Sequence, residues 1–276
     1  AGRAARRRGR TRRRTWERAL STATEFLAAA ELSLDAAGRR DRAEWLGLFA
    51  HDGRVEDPVG STPHVGHVQI GRFYDTFIGP REITFDSRAD FVAGSTVVRD
   101  LTLNVRMSAA VAMQIPAVLV YRLTDTAEGL RIASLQAYWE LAPMMVQFAR
   151  QGVPAMSAGL TLSRALLANQ GADGAFGFAR GLRRPGRRAR AKVDDLLAAL
   201  SGGDELSTRR ILGHGAKVDV DLGLLDQRLR GAHTSKILAA GHSITVSLTA
   251  GRSEPRGVLI FDFADDETFR AVRFFA

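Results

Sequence analysis

The hydrophobic pattern divides the chain into stretches of different period. From Thr15 to Ala37, Leu20, Phe26, Leu27, Leu32 and Leu34 recur among Ala and Glu at helical spacing, and Gly38 ends the run. A second short helix is predicted from about Arg42 to Phe49, with Trp45, Leu46, Leu48 and Phe49 on one side. The string HDGRVEDPVG (51–60) reads as a turn leading to a short extended piece, because Pro58 biases Asp57 away from helix. A third helix is predicted over 68–78, burying Ile70, Phe73 and Phe77. After Pro80 the period becomes two. Leu101, Leu103, Val105 and Met107 alternate with Asp100, Thr102, Asn104 and Arg106, as in a half-buried strand. Further strands are predicted at 116–125 and 130–141. Helices followed by a strand meander predict an α+β class, with N-terminal helices packed on one face of a curved antiparallel sheet.

The chain then changes character. Residues from Pro143 to Phe178 are rich in Met, Ala, Gly and Leu and hold three of the five methionines. They read as short helices packed against the rest, or as an amphipathic interfacial segment. A basic linker is predicted at 180–192. Beyond it, 193–221 repeats the plan of 31–57: helix, a turn with Gly and Asp, short helix, acidic extended piece. RGVLIFDF and TFRAVRFFA then match the paired strands at 116–123 and 130–141. The expected organisation is an Arg-rich arm at 1–15 and a first domain at 16–145. A helical then basic linker follows at 146–192, and an abbreviated second copy at 193–276, giving two tandem copies.

Net charge refines this picture. The value of +9 arises from two stretches, 1–15 with eight Arg and 180–192 with six Arg and one Lys, neither containing an acid; the remainder carries −6. The folded parts are therefore mildly acidic, and nucleic acid is not an expected partner. Weak contact with an anionic membrane through 143–192 is the expectation for the basic tract. The first fifteen residues lack the apolar stretch of a secretory signal, and cytoplasm is the expected location. The chain has no Cys, so disulfides and thiolate chemistry are excluded. His64 and His67 sit in a Gly/Pro-containing loop without acidic partners at ligand spacing, and no metal or cofactor is expected.

Three strings occur in order: VEDPVG (55–60), GRFYDTF (71–77) and LQAYWEL (135–141). Together they resemble bacterial ketosteroid isomerase, of the nuclear transport factor 2-like (SnoaL-like) superfamily. The resemblance covers 20–145 well and 190–276 faintly. It implies that Asp57 is the general base that moves a proton next to an enone. It places Tyr74 at a tyrosine of the oxyanion network and Trp139 at the indole lining the pocket. The departures are equally specific. The family's principal oxyanion tyrosine aligns with Ser33, its protonated acid aligns near Leu119, and Phe49 stands where a further tyrosine often occurs. Losing one strong oxyanion donor typically costs roughly 10²–10³ in rate.

The implied function is a steroid isomerase-like enzyme, or an epoxide hydrolase-like relative, acting on a hydrophobic polycyclic or isoprenoid molecule with Asp57 as base. Its substrate-binding candidates are Ser33, Phe49, Tyr74, Leu119 and Trp139. Glu82 is the one further carboxylate that could serve as an acid. The alternatives are a non-catalytic steroid- or lipid-binding protein and a protein–protein adaptor. Pairing through the sheets is expected, within the chain as a pseudo-dimer or between copies as a homodimer. In the second copy Val220 falls at the position of Asp57. Asp219 and Asp221 should therefore point away from any pocket, leaving that copy catalytically silent.

Overall fold

The computed structural model describes residues 22–251 and 254–276. The arm at 1–15 lies outside the described residues. Helix α1 (22–39) ends beside Asp41, whose carboxylate accepts from the Glu44 amide and caps α2 (Arg42–Gly47). Strand β1 (Phe49–Glu56) begins where the second helix was expected to finish, so Phe49 lies on a strand. Strand β2 (His64–Val65) pairs with β1, and α3 (Gly66–Phe73) continues into a wide helical turn, Tyr74–Ile78. Four long strands follow: β3 (Glu82–Ala93), β4 (Thr96–Ser108), β5 (Val111–Thr126) and β6 (Gly129–Tyr138). Strand β3 escaped the sequence reading because it is the sheet's edge, and its exposed Asp86, Ser87 and Arg88 interrupt the alternation.

The sheet order is β2-β1-β6-β5-β4-β3, antiparallel except for β1 beside β6. Its inner face packs Val97, Leu101, Leu119, Tyr121 and Leu135 against the helices. Residues 117–121 of β5 form an unbroken apolar run, AVLVY, buried on both faces. A run of that kind signals a strand covered on two sides rather than one.

The second cover comes from the same chain. Helices α4 (Leu141–Ala149) and α5 (Val153–Ala179) lead to α6 (Arg187–Ser201) and α7 (Glu205–Leu212). Next come β7 (Lys217–Val218), α8 (Leu222–Leu229), β8 (Ala232–Ala240), β9 (Ser243–Ala250), β10 (Glu254–Phe263) and β11 (Phe269–Phe275). The second sheet has the order β7-β11-β10-β9-β8, and its only parallel pair among the described residues is β7 with β11. Strand for strand this is the plan of the first sheet without β2. It has its own core, where Leu196, Leu212 and Leu225 meet Val246, Leu259 and Phe261.

The outer faces of the two sheets pack together, Val98, Val118, Val120 and Tyr138 against Leu238, Val258, Ile260 and Phe275. At the margin the Lys236 ammonium is buried against the Asp100 carboxylate and donates to the Ala117 carbonyl at 2.7 Å. The backbones of Gly60 and Gly241 touch, so that a Cβ on Gly60 would lie 2.4 Å from the Gly241 Cα. Much of the basic tract is helical: Ala189, Val193, Leu196 and Leu200 give α6 one buried face, while the arginines stay outside.

Candidate functional site

Asp57 follows β1 directly. The parallel register Glu56 with Gln136, and the Val59 amide donating to the Ala137 carbonyl at 2.8 Å, hold this corner against the end of β6. Trp139 is next after β6, and its indole Nε1 donates to Asp57 Oδ1 at 2.6 Å. Burial raises the Asp57 carboxyl from 3.8 to about 6, and the indole hydrogen bond opposes the rise. Asp57 keeps partial solvent contact through a cavity of about 250 Å³.

That cavity lies between the turn after Asp57, helix α3 and α5. Ser61 comes from the turn, His64 from β2, Phe77 from the wide helical turn, and Gln170 and Phe178 from α5. Phe178 stacks on Phe77 with ring centroids 5.0 Å apart. Gln170 precedes a break at Gly171 (φ 70°, ψ −173°), a backbone geometry natural to glycine. Beyond the break Asp173, Gly174 and Phe178 line the cavity, and Gly177 passes so close to Thr62 that a Cβ would come within 2.8 Å of its hydroxyl. Ser61 Oγ and Gln170 Nε2 are buried and have no hydrogen-bond partner among the described residues. An unpaired buried donor costs about 1–3 kcal/mol, so two in one cavity mark places for a ligand's polar atoms. Burial holds the His64 imidazole below its ordinary pKa and hence neutral near pH 7. Arg72 and Asp173 are exposed at the rim.

Of the candidate site residues singled out by sequence, Asp57 lines this cavity and Trp139 reaches it only through its hydrogen bond to Asp57. Ser33 is buried beneath the sheet, its Oγ 3.1 Å from the Ala30 carbonyl and 2.9 Å from the Tyr121 hydroxyl. Ser33 has one proton; placed on Ala30 O, it leaves Tyr121 to donate to Ser33. Tyr74 and Phe49 pack on Trp45, with ring centroids 5.4 and 4.7 Å away, and Leu119 is buried in the same core. Glu82 is exposed and faces Arg106 across the sheet edge at 3.4 Å.

Three residues escaped the sequence reading. Ser61 stands one position beyond VEDPVG, and Gln170 belongs to a segment with no motif. Tyr121 is fully buried, two residues from Leu119 on the same strand face; burial raises its hydroxyl to about 12, and the Asp57 charge adds to the rise. The neighbouring inward residue Arg99 is bidentate to Asp90 at 2.8 and 3.2 Å. In the second half, Asp221 caps α8 and Asp219 accepts from the Phe274 amide at 3.1 Å. Among the described residues no group of three or more side chains could hold a metal ion, and no helix is long and apolar enough to cross a membrane.

Comparison with known proteins places a SnoaL-like domain at residues 30–133. No curated protein matches. Similar solved structures include a Δ5-3-ketosteroid isomerase from Mycobacterium sp., 29% identical over 42% of this chain and 93% of that one, with TM-score 0.39. A Mycobacterium tuberculosis protein in complex with estradiol-17β-hemisuccinate is 26% identical over 42% and 94%, with TM-score 0.38. An LEH-like epoxide hydrolase of the same organism is 19% identical over 50% and 98%, with TM-score 0.42.

Proposed function

Taking residues 30–133 as a SnoaL-like domain, we propose that this protein catalyses proton transfer on a compact hydrophobic carbonyl compound, with Asp57 as general base. The observation that carries this reading is a buried carboxylate of raised pKa, oriented by an indole N–H, in a cavity whose other walls hold two unpartnered polar groups. A pKa of about 6 leaves Asp57 mostly ionised at pH 7, yet more basic than an ordinary carboxylate. It would take the proton from the carbon between a ketone and a C=C bond. The electrons move onto the carbonyl oxygen, and the same proton is returned at the far alkene carbon. Ser61 Oγ and Gln170 Nε2 are the donors available to that oxygen, in place of the tyrosine and acid that the ketosteroid isomerases use.

The cavity's size narrows the substrate. About 250 Å³ falls below the roughly 300–1,000 Å³ usual for drug-sized ligands. One or two rings fit; a four-ring steroid would require the 171–178 segment to move aside. A second reading, a binder without chemistry, draws support from Ser33, whose hydroxyl is already engaged by Tyr121. We also read residues 193–276 as the abbreviated second copy, catalytically silent and serving to cover the first sheet. The same strand order, apart from the missing counterpart of β2, and the matching parallel pair support that reading.

The test follows 3-cyclohexen-1-one turning into its conjugated isomer by ultraviolet absorbance. Turnover should fall about 10²–10⁴-fold in Asp57→Asn and less steeply in Ser61→Ala and Gln170→Leu. Equal rates in wild type and Asp57→Asn would overturn the catalytic reading. Tight binding of a two-ring phenol such as 2-naphthol without turnover would favour the binder.

A further inference from the structure

Helix α5 is built inside out for a surface helix. Ala155 and Ala158 face inward and are buried, while Val153, Met156, Leu160 and Leu167 are 79%, 74%, 52% and 56% exposed. Their spacing of three, four and seven residues sets all four on one stripe, with Arg164 in line. Surface helices ordinarily turn their large apolar residues to the core and polar ones to water. Here small residues pack the interior and large ones face out. Eight of the thirteen exposed large apolar side chains of the described residues fall between 145 and 182, so the feature is concentrated and not a scatter. From Val153 to Leu167 the stripe is about 21 Å long at 1.5 Å per residue.

Charge identifies what covers it. From 141 to 172 there is no acidic residue, and Arg150 and Arg164 accompany the apolar side chains. Directly beyond α5 come the arginines of 180–190. Arg184, Arg187, Arg188 and Arg190 are exposed and make no ion pair among the described residues. Outside 1–15 and 180–192 the chain carries −6, so this basic concentration is local within the described residues. A second copy is a poor occupant, because joining two such ridges would bring like charges together. An apolar ridge followed along the chain by a polybasic tract is the combination that holds a protein on a negatively charged bilayer, one part inserting and the other attracted.

We propose that the outer face of α5, together with the arginine tract after it, docks the protein on an anionic lipid surface. This inference is independent of the proposed catalysis. The experiment is vesicle flotation of the full chain, with phosphatidylcholine alone and with phosphatidylcholine:phosphatidylglycerol 7:3, at low and high salt. Binding is expected on the mixed vesicles only, and weaker at high salt. It should fall about tenfold or more in Leu160→Ser/Leu167→Ser and in Arg187→Glu/Arg188→Glu. Both pairs are exposed, and circular dichroism checks that the variants fold. All variants keep residues 1–15, so the eight arginines there contribute equally.

Equal binding by wild type and Leu160→Ser/Leu167→Ser would overturn the proposal, because plain charge attraction would then suffice. So would failure to bind the mixed vesicles. A wild-type dimer that becomes a monomer in the serine variant would assign the ridge to a second copy instead.

Discussion

Replacing Asp57 by Asn should make the protein more stable near neutral pH while removing its proposed activity. Asp57 is raised from 3.8 to about 6 on folding, so its burial opposes the charged form. Between these two values the native state binds more protons at this site than the unfolded chain, and the stability it confers falls as pH rises. The loss is complete once both forms are ionised, above about pH 7. A shift of about two units corresponds to about 3 kcal/mol. Asn has a similar shape, can still accept from the Trp139 indole, and carries no charge to desolvate.

Urea unfolding at intervals from pH 4 to pH 7.5, on wild type and Asp57→Asn in parallel, isolates this one group, since every other carboxylate is common to both. The stability gap should be smallest at pH 4, where it is already widening, and grow to about 3 kcal/mol in favour of the variant by pH 7. A gap that stayed flat across this range would refute the reasoning. It would mean that the carboxylate titrates in the native protein as it does in the unfolded chain.

Two other predictions test neighbouring contacts. Trp139→Phe removes the donor that holds the Asp57 pKa down; a hydrogen bond to a charged group is worth about 1.5–3 kcal/mol, so the acid limb of the rate–pH profile should move up by about 1–2 units. An unmoved limb would show that the indole does not act on the carboxylate. At the sheet interface, Lys236→Met leaves Asp100 buried without its cation and should cost about 3–5 kcal/mol in urea unfolding, most of which Lys236→Met/Asp100→Leu should recover. If the double variant were no better than the single one, the two groups would not be acting as a pair.

The sequence was most legible where burial is one-sided and local chemistry is strong. The alternation of Leu101 to Met107 marked β4, and VEDPVG with LQAYWEL brought Asp57 and Trp139 together across 82 positions. It was least legible where long-range packing decides. Phe49 has an aromatic side chain that suits a helix face or a strand equally, and its parallel pairing with Ile132 settles the matter. Gln170 belongs to the site because long-range packing sets α5 against the turn after Asp57, which no local pattern announces. Ser33, which aligns with the family's oxyanion tyrosine, lies 2.9 Å from the hydroxyl of Tyr121, a neighbour that only the folded sheet brings to it. The arginines from 187 onward, expected as linker, are helical because the apolar residues behind them find a sheet to pack on.

The joining of the two sheets within one polypeptide has a further consequence. Two separate molecules meeting through such faces would part on dilution, whereas here the second sheet is tethered and its docking is unimolecular at any protein concentration. Nor is this surface bound by rotational symmetry. In a twofold pair every contact occurs twice, so any change at one position is made in both partners. The Lys236–Asp100 contact exists once, with lysine on one side and carboxylate on the other. Each face is free to change by itself, and only one of the two halves has to keep a site.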